Sequence, residues 1–321
     1  MKEIVRRLLA VLCYYSGIDL LFYRLNRRAK RIITFHNVLP DDIARMVPKI
    51  GCSTTLSHFE WAIDELSKYF KFSADVLDPS TASITFDDGI CNEYEIAGEA
   101  LRKRNIPAVM YVAGDAIGAT EETMLVTDQL LVWAQFGPRK NEHDLWTRVI
   151  EPGYRQDIET RGRKFLAELN AICPISEALA NLPSEWRRLR MTGVTEAQLD
   201  DLRSRGWSIG WHTKSHFPLG FLPLEERCKE LDSPKEYRNE SLGYPYGTIE
   251  EIGVETLDIA REMGYPAAMS NFPNASPYHG RYFMQRMSPP GNKYELHFLF
   301  SGAKYFFQSR KLLPRATSIA S

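Results

Sequence analysis

Short apolar runs that alternate with helical patterns restrict the fold of this 321-residue chain more than any other feature. The runs at 31–35 and 83–86 are each followed by a segment whose apolar residues recur every three or four positions. Further apolar runs lie at 108–112, 207–211 and 242–246. Strands that alternate with helices build a parallel sheet or a barrel. The sequence therefore predicts an α/β fold.

Helix starts within this alternation are marked by capping boxes, in which a Ser or Thr precedes Glu or Gln by three positions. Ser57 with Glu60, Thr195 with Gln198 and Thr248 with Glu251 fit the pattern. Each pair predicts the first turn of a helix.

The alternation is lost between Gly114 and Met191, where amphipathic helical pieces are separated by Gly-Pro and Pro-Gly pairs. We expect a helical insertion over about 115–190 on one face of the sheet. The predicted organisation is an N-terminal helical extension over 1–31, a barrel over 32–303 and a C-terminal tail over 304–321 with a polar, disordered end.

The N-terminal segment 1–31 resembles a targeting signal, because Lys2, Arg6 and Arg7 precede eight apolar residues. No clean cleavage site follows, and Asp19 interrupts the stretch that a transmembrane helix would need. Three alternatives remain: a helix packed on the domain, peripheral docking on an anionic membrane, and an unusual export signal.

Charge and cysteine content argue against nucleic-acid binding and against a disulfide-rich protein, and they bear on the location. The net charge of -1 gives no support to nucleic-acid binding, which needs a clustered basic surface. Five widely spaced cysteines without a C-x-x-C pair indicate neither a disulfide framework nor a cysteine metal site. We expect a cytoplasmic protein or one at the membrane face.

Two histidines, His212 and His216, follow the predicted strand at 207–211. Their spacing would bring both imidazoles to one side of a helical turn, which is a common arrangement for two metal ligands. An accidental surface pair is the alternative. The place favours a site, because α/β active sites gather where strands end.

A pair of carboxylates, Asp87 and Asp88, ends the strand at 83–86. Adjacent carboxylates repel and need solvent, hydrogen bonds or a cation, although an Asp-Gly turn is the plainer alternative. Two histidines and one aspartate form a divalent metal site with positions open to water. The neighbouring aspartate is then placed to take the proton of that water.

These motifs resemble those of the polysaccharide deacetylase superfamily, the NodB-type carbohydrate esterases. Residues 84–89 (ITFDDG) and 212–216 (HTKSH) are similar to its first two motifs, and 244–247 (YPYG) to the third motif of its exopolysaccharide branch. The resemblance covers about 32–302, with a gap at the insertion. It implies a distorted (β/α) barrel.

The resemblance also implies roles for individual residues. Asp87 would be the general base, and Asp88, His212 and His216 would hold one divalent metal ion. Zinc is the expected metal, with cobalt, nickel or manganese as alternatives. Tyr246, with Pro245 beside it, would contact the substrate and supply an oxyanion-binding N–H.

The sequence departs from the family pattern at two places. The arginine that precedes the Pro of the third motif is replaced by Gly243, and Arg286 is the candidate substitute, grouped with the substrate-binding residues. The family's C-terminal catalytic histidine has no convincing counterpart, because the candidate, His297, lies in a helical pattern. His36, in a segment that resembles the Tyr-His-x-Val opening of a circularly permuted branch, is the expected catalytic acid.

The predicted activity is metal-dependent removal of N-acetyl groups from amino sugars. The expected substrate is a bacterial polysaccharide, such as an exopolysaccharide, or its lipid-linked precursor. Two alternatives remain. One is a degenerate homologue that binds a sugar or a partner without turnover, and the other is an amidohydrolase that acts on a non-sugar amide.

Overall fold

A seven-stranded parallel sheet forms the centre of the computed structural model, which describes residues 3–47, 53–136, 158–172, 174–271, 280–311 and 313. The strands follow the order β1-β4-β5-β6-β7-β8-β9. Their bounds are β1 Arg31–Phe35, β4 Ala82–Asp88, β5 Val109–Val112, β6 Ser208–Trp211, β7 Leu242–Gly243, β8 Ala268–Ser270 and β9 Met284–Gln285. Two short strands, β2 Val38–Leu39 and β3 Thr54–Thr55, pair separately.

The sheet curves into a nearly closed barrel, because the chain after β9 returns to β1. Thr34 donates its N–H to the Met287 carbonyl over 3.0 Å, and Met287 donates to the Ile32 carbonyl over 2.8 Å. The predicted distorted (β/α) barrel is confirmed.

The strands are rich in apolar residues because both of their faces are covered. All residues of β1, β4 and β5 are buried. Ile84, Phe86 and Met110 are fully inaccessible and pack against the helices that surround the barrel. Each such side chain stabilises the fold by about 1.5–3 kcal/mol. The polar residues that follow these strands are thereby held in fixed positions.

The α-helices that surround the barrel account for almost half of the described chain. Before the insertion they are α1 Glu3–Ser16, α2 Ile18–Leu25, α3 Asp41–Met46, α4 Leu56–Leu66 and α5 Glu99–Arg102. The insertion contributes α6 Val126–Phe136, α7 Ile158–Ile172, α8 Ile175–Leu179 and α9 Ser184–Arg190. The remainder are α10 Glu196–Ser204, α11 Leu224–Leu231, α12 Lys235–Arg238, α13 Ile249–Ile252, α14 Val254–Glu262, α15 Lys293–Phe300 and α16 Ala303–Ser309.

Two of the three predicted capping boxes are confirmed. Thr195 with Gln198 opens α10 and Thr248 with Glu251 opens α13, each with both reciprocal hydrogen bonds. The prediction for Ser57 is wrong, because Thr55 caps α4 by accepting the N–H of His58. The Ser57 hydroxyl donates instead to Asp41 over 2.6 Å.

Other boundaries differ where local backbone chemistry intervenes. The predicted strand at 242–246 stops at Gly243, since Pro245 has no N–H to pair and Tyr246 adopts a φ of 62°. The predicted helix after Asp88 begins as a π-helix over Glu93–Gly98 before it continues as α5.

The insertion packs its apolar residues into a separate cluster on one side of the barrel. The predicted helical pieces within 115–190 are present as α6 and α7, and Trp133, Trp186 and Leu189 are buried between the helices. The Gly-Pro and Pro-Gly pairs predicted to separate these pieces lie outside the described residues.

The N-terminal extension forms a bent pair of helices that pack against α15 and α16. Within the described chain, no single helix is long and apolar enough to cross a bilayer. Only α1 and α2 taken together have that length and composition, and an 86° bend separates them. The segment predicted as a tail after 303 begins within α16. Its predicted disordered end, 314–321, lies outside the described residues.

Candidate metal and acid–base site

The predicted site residues meet at the carboxyl ends of β1, β4 and β6, with β5 between the last two. His36 follows β1, Asp87 and Asp88 end β4, and His212 follows β6. The register pairs Phe35 with Phe86 and aligns Asp88, through β5, with the last residue of β6. Parallel pairing therefore brings together side chains that are far apart in the sequence.

The backbone around the site is held in unusual conformations. Five residues other than glycine, at the strand ends or in the loops that follow them, have a φ between 47° and 80°, namely Asn37, Asp88, Thr213, His216 and Tyr246. Each such conformation costs of order 1–3 kcal/mol and persists only where the surroundings impose it. The strand-end loops are therefore fixed by the barrel.

The side chains of Asp88, His212 and His216 converge on one point. His216 Nε2 lies 3.0 Å and His212 Nε2 lies 3.4 Å from Asp88 Oδ1. One ligand atom from each of the three side chains lies within 4.8 Å of the others. This donor set of two imidazoles and one carboxylate fits a divalent metal ion such as zinc.

The two histidines do not share a helical turn, so that part of the prediction is wrong. They lie in a non-helical loop in which Thr213 and His216 have positive φ values of 65° and 61°, which a right-handed helix does not allow. The centroids of the two imidazole rings nevertheless lie 5.0 Å apart.

Hydrogen bonds orient both histidines. His212 Nδ1 lies 2.7 Å from the Gly243 carbonyl, which can only accept, so Nδ1 carries the proton and Nε2 is left as a ligand atom. His216 Nδ1 faces the Thr127 hydroxyl at 3.4 Å. Outer partners of this kind fix the ring orientation of metal-binding histidines.

Asp87 is a fully buried carboxylate surrounded by donors. Arg286 donates from Nη1 to Oδ1 and from Nη2 to Oδ2, both over 2.6 Å, and Asn271 donates to Oδ2 over 3.1 Å. His36 Nε2 lies 3.2 Å from the same Oδ2. Burial by itself would raise the pKa of Asp87, but the charge of Arg286, with His212 and His36, holds that pKa well below its usual range. Asp87 is therefore ionised at neutral pH.

Arg286 provides a contact for Asp87 that the third motif cannot. A Cβ at Gly243 would lie 2.7 Å from the Tyr111 ring and 3.0 Å from His212 Nδ1, so no side chain fits there. The Arg286 guanidinium lies over the same Tyr111 ring. Because Arg286 is fully buried, it has no surface left for a substrate. The prediction that Arg286 substitutes for the motif arginine agrees with this contact to Asp87, whereas its grouping with the substrate-binding residues is corrected.

The accessible part of the site consists of His36, Asp88 and His216, whose side chains are 12–19% exposed. Tyr246 is partly exposed, and its ring centroid lies 5.3 Å from that of His216. Pro245 is buried, so it shapes the loop instead of facing solvent.

His297 lies on α15, where it joins helices together. Its Nδ1 lies 3.2 Å from the Tyr23 hydroxyl and its Nε2 lies 3.2 Å from Glu65. Both ring nitrogens have partners and the residue is 1% exposed, so we interpret His297 as a structural histidine.

Three residues near the site were not predicted from the sequence. Asn271 follows β8 directly, so its strand-end position was a usable signal. Thr127 comes from the insertion, and no motif indicates it. Glu93 is fully buried behind Asp88, and burial together with the charges of Asp88 and Asp87 raises its pKa well above the usual range.

Comparisons with known proteins agree with the fold and indicate the family. The fold is similar to the Streptococcus pyogenes deacetylase PplD in complex with acetate, with a TM-score of 0.52, 14% identity, and coverage of 85% of this chain and 97% of that one. It is also similar to IcaB from Ammonifex degensii, with a TM-score of 0.50 and the same identity and coverage. No curated protein sequence matches. The family model described as "Polysaccharide deacetylase" matches residues 75–268. Since this match covers more than half of its length, the chain belongs to the polysaccharide deacetylase family.

Proposed function

We propose that this protein removes N-acetyl groups from amino sugars of a bacterial polysaccharide, such as an exopolysaccharide, or of its lipid-linked precursor. Family membership supports deacetylation of a polysaccharide. The observation that carries the finer proposal is the convergence of Asp88, His212 and His216 beside the buried, ionised Asp87. A site with metal ligands next to an acid–base pair suits hydrolysis of an amide.

In this proposal one divalent metal ion, zinc by preference, is held by Asp88, His212 and His216. Cobalt, nickel or manganese are alternatives for the same donor set. When bound, such an ion would supply Lewis-acid polarisation and lower the pKa of a coordinated water. The protein contributes the fixed orientation of the two rings, through Gly243 for His212 and Thr127 for His216.

Asp87 acts as the general base. Arg286 donates to both carboxylate oxygens, and Oδ2 is the oxygen that also faces His36 and His212. Oδ2 is therefore the atom that accepts the proton as water adds to the acyl carbon. Arg286 and Asn271 keep the carboxylate ionised and in place.

His36 acts as the general acid. Its Nε2 is close enough to Asp87 Oδ2 to exchange a proton, and its ring is one of the accessible parts of the site. It would protonate the leaving nitrogen as the C–N bond breaks, which gives acetate and a free amine. A backbone N–H of the Pro245–Tyr246 loop would stabilise the negative charge on the acyl oxygen.

The test measures acetate release from chitooligosaccharides with metal-loaded and chelator-treated protein. The proposal expects about one divalent metal ion per chain, turnover that needs the metal, and loss of both in His212→Ala. His58→Ala is the matched control, because His58 lies on α4 and contacts the Pro289 carbonyl. It should retain metal and activity.

Two results would contradict the proposal in different ways. Metal binding without turnover on any substrate would favour a sugar-binding or partner-binding protein. Turnover on small cyclic amides without turnover on chitooligosaccharides would favour an amidohydrolase for a non-sugar amide. We also propose that the protein acts in the cytoplasm or at the membrane face.

A further inference from the structure

The N-terminal helices present the main exposed apolar surface of the described chain. Nine large apolar side chains of α1 and α2 are more than a third exposed, compared with four in all the other described residues. The nine are Ile4, Val5, Leu8, Leu12, Tyr15, Ile18, Leu20, Leu21 and Leu25. We call this set the N-terminal apolar face. A patch of this density on a soluble surface marks an interaction site.

The N-terminal apolar face follows helical periodicity. Ile4, Leu8, Leu12 and Tyr15 recur every three or four positions, so they form one stripe along α1. The opposite side of the same helices is buried against α15 and α16, where Phe22 packs on Phe306. The helices are therefore amphipathic, with one face covered and the other open.

Several polar contacts fix these helices to the barrel. Arg6 donates to Glu295 over 3.1 Å, and Asn26 donates its side-chain N–H to the Ser301 carbonyl over 2.8 Å. Arg31, at the start of β1, donates to the Phe300 carbonyl over 3.1 Å. The apolar face is thus held in one orientation relative to the catalytic domain.

The charges around the face favour an anionic partner. Arg24, Arg27 and Arg28 are exposed at the end of α2 and just beyond it. Only two acids occur between residues 3 and 28: Glu3 pairs with Arg7 over 2.7 Å, and Asp19 is buried. A second copy of this chain would place one cationic patch against another. The surface of an anionic bilayer offers both an apolar layer and complementary charge.

We propose that α1 and α2 dock in the interface of an anionic bilayer, with the N-terminal apolar face in the acyl region and the three arginines among the headgroups. The helices contain 14 and 8 residues, too few for either to span a bilayer, which takes about 20. The exposed Tyr15 has the amphipathic ring that is typical of membrane interfaces. This proposal stands apart from the deacetylase chemistry.

The experiment measures flotation of the purified full chain with phosphatidylcholine vesicles, with and without phosphatidylglycerol. Binding should need the anionic lipid and should weaken as salt is raised. Leu8→Glu/Leu12→Glu should lower the affinity by at least about tenfold. Each of Arg24→Gln, Arg27→Gln and Arg28→Gln should lower it by roughly fivefold.

The matched control is Leu224→Glu, because Leu224 is an equally exposed leucine on α11. It should bind vesicles like the wild type. Metal content and the thermal midpoint of every variant show that the fold is intact, and these readouts do not depend on whether turnover is found.

Three results would overturn the proposal. The first is absence of binding to anionic vesicles, and the second is equal binding by Leu8→Glu/Leu12→Glu and the wild type. The third is a lipid-free dimer that Leu8→Glu/Leu12→Glu dissociates, which would assign the face to a second copy of the chain.

Discussion

Removing Arg286 from the pair that it forms with Asp87 should destabilise the protein strongly. Both side chains are fully buried, and two N–H···O bonds of 2.6 Å join them. Arg286 also donates to the Thr85 hydroxyl over 3.2 Å and to the Ser270 carbonyl over 3.3 Å. Breaking a buried ion pair by removing one partner typically costs about 3–5 kcal/mol, because the other charge is left uncompensated. Arg286→Gln should lower the free energy of unfolding by that amount.

The effect of this substitution should depend on pH in a defined direction. In the wild type, the lowered pKa of Asp87 contributes stability that is present above the ordinary carboxyl range and is lost as pH falls through the folded pKa. Without Arg286, burial is no longer offset and the pKa of Asp87 rises. The stability deficit should therefore be largest at neutral pH and shrink as acid protonates the carboxyl group. The acidic limb of the pH–rate profile should move to higher pH.

The assay is urea unfolding at several pH values with a chelator present, so that bound metal does not contribute. Asp87→Asn in the Arg286→Gln background should recover part of the lost stability, because it removes the unpaired charge. Arg102→Gln is the control, since Arg102 pairs with Glu99 over 2.6 Å at an exposed site, and its stability should stay close to wild type. A deficit below about 1 kcal/mol, or one that is the same at every pH, would refute the reasoning.

Two further pairs of substitutions separate the roles of the site residues. Asp87→Asn should keep the metal and reduce turnover by about 10²–10⁴-fold, whereas Asp88→Asn should weaken metal binding in a competition assay; identical behaviour would reject the division of roles. His36→Ala should reduce turnover by about 10²-fold or more and remove the basic limb of the pH–rate profile, at unchanged metal content. His297→Ala should leave turnover within a few-fold and lower the thermal midpoint, and reversed outcomes for the two histidines would move the catalytic acid to His297.

The barrel and its central cluster were accessible from sequence because both depend on local patterns. Apolar runs mark the strands, and a polar motif directly after a run must lie at the carboxyl edge of a parallel sheet. Asp87, Asp88, His36 and His212 all satisfy that condition, and the register brings them together. His216 also reaches the cluster, although the helical turn predicted for it is replaced by a loop with positive φ.

The residue that pairs with Asp87 is determined by long-range packing and not by a local sequence pattern. Arg286 lies 199 positions away and reaches Asp87 because β9 returns to β1 when the barrel closes. The sequence indicates that Gly243 lacks the expected arginine, but it does not show that Tyr111 fills the space beside it. Arg286 could be proposed from the sequence as the substitute, but the steric exclusion at Gly243 becomes visible only in three dimensions.

The insertion gave no sequence signal of a role at the site, yet it carries Thr127 to within 3.4 Å of His216 Nδ1. A buried pair anchors this end of α6, because Arg190 donates to Asp128 over 2.6 Å. When His216 Nε2 is the ligand atom, Nδ1 carries the proton and donates it to the Thr127 hydroxyl.

Thr127→Val keeps the shape of the side chain and removes that acceptor, so metal affinity should fall by about 10–100-fold. Thr127→Ser should restore it. Thr256→Val is the matched control, because it removes a buried hydroxyl that donates to the Ile252 carbonyl over 2.6 Å, at a place away from the metal ligands. Competition with a chromophoric chelator gives the affinities, and the absorption spectrum of the cobalt-loaded protein reports the geometry of the site. Should Thr127→Val and Thr256→Val lose stability alike while both keep wild-type metal affinity and the same cobalt spectrum, the insertion supports the fold and does not orient His216.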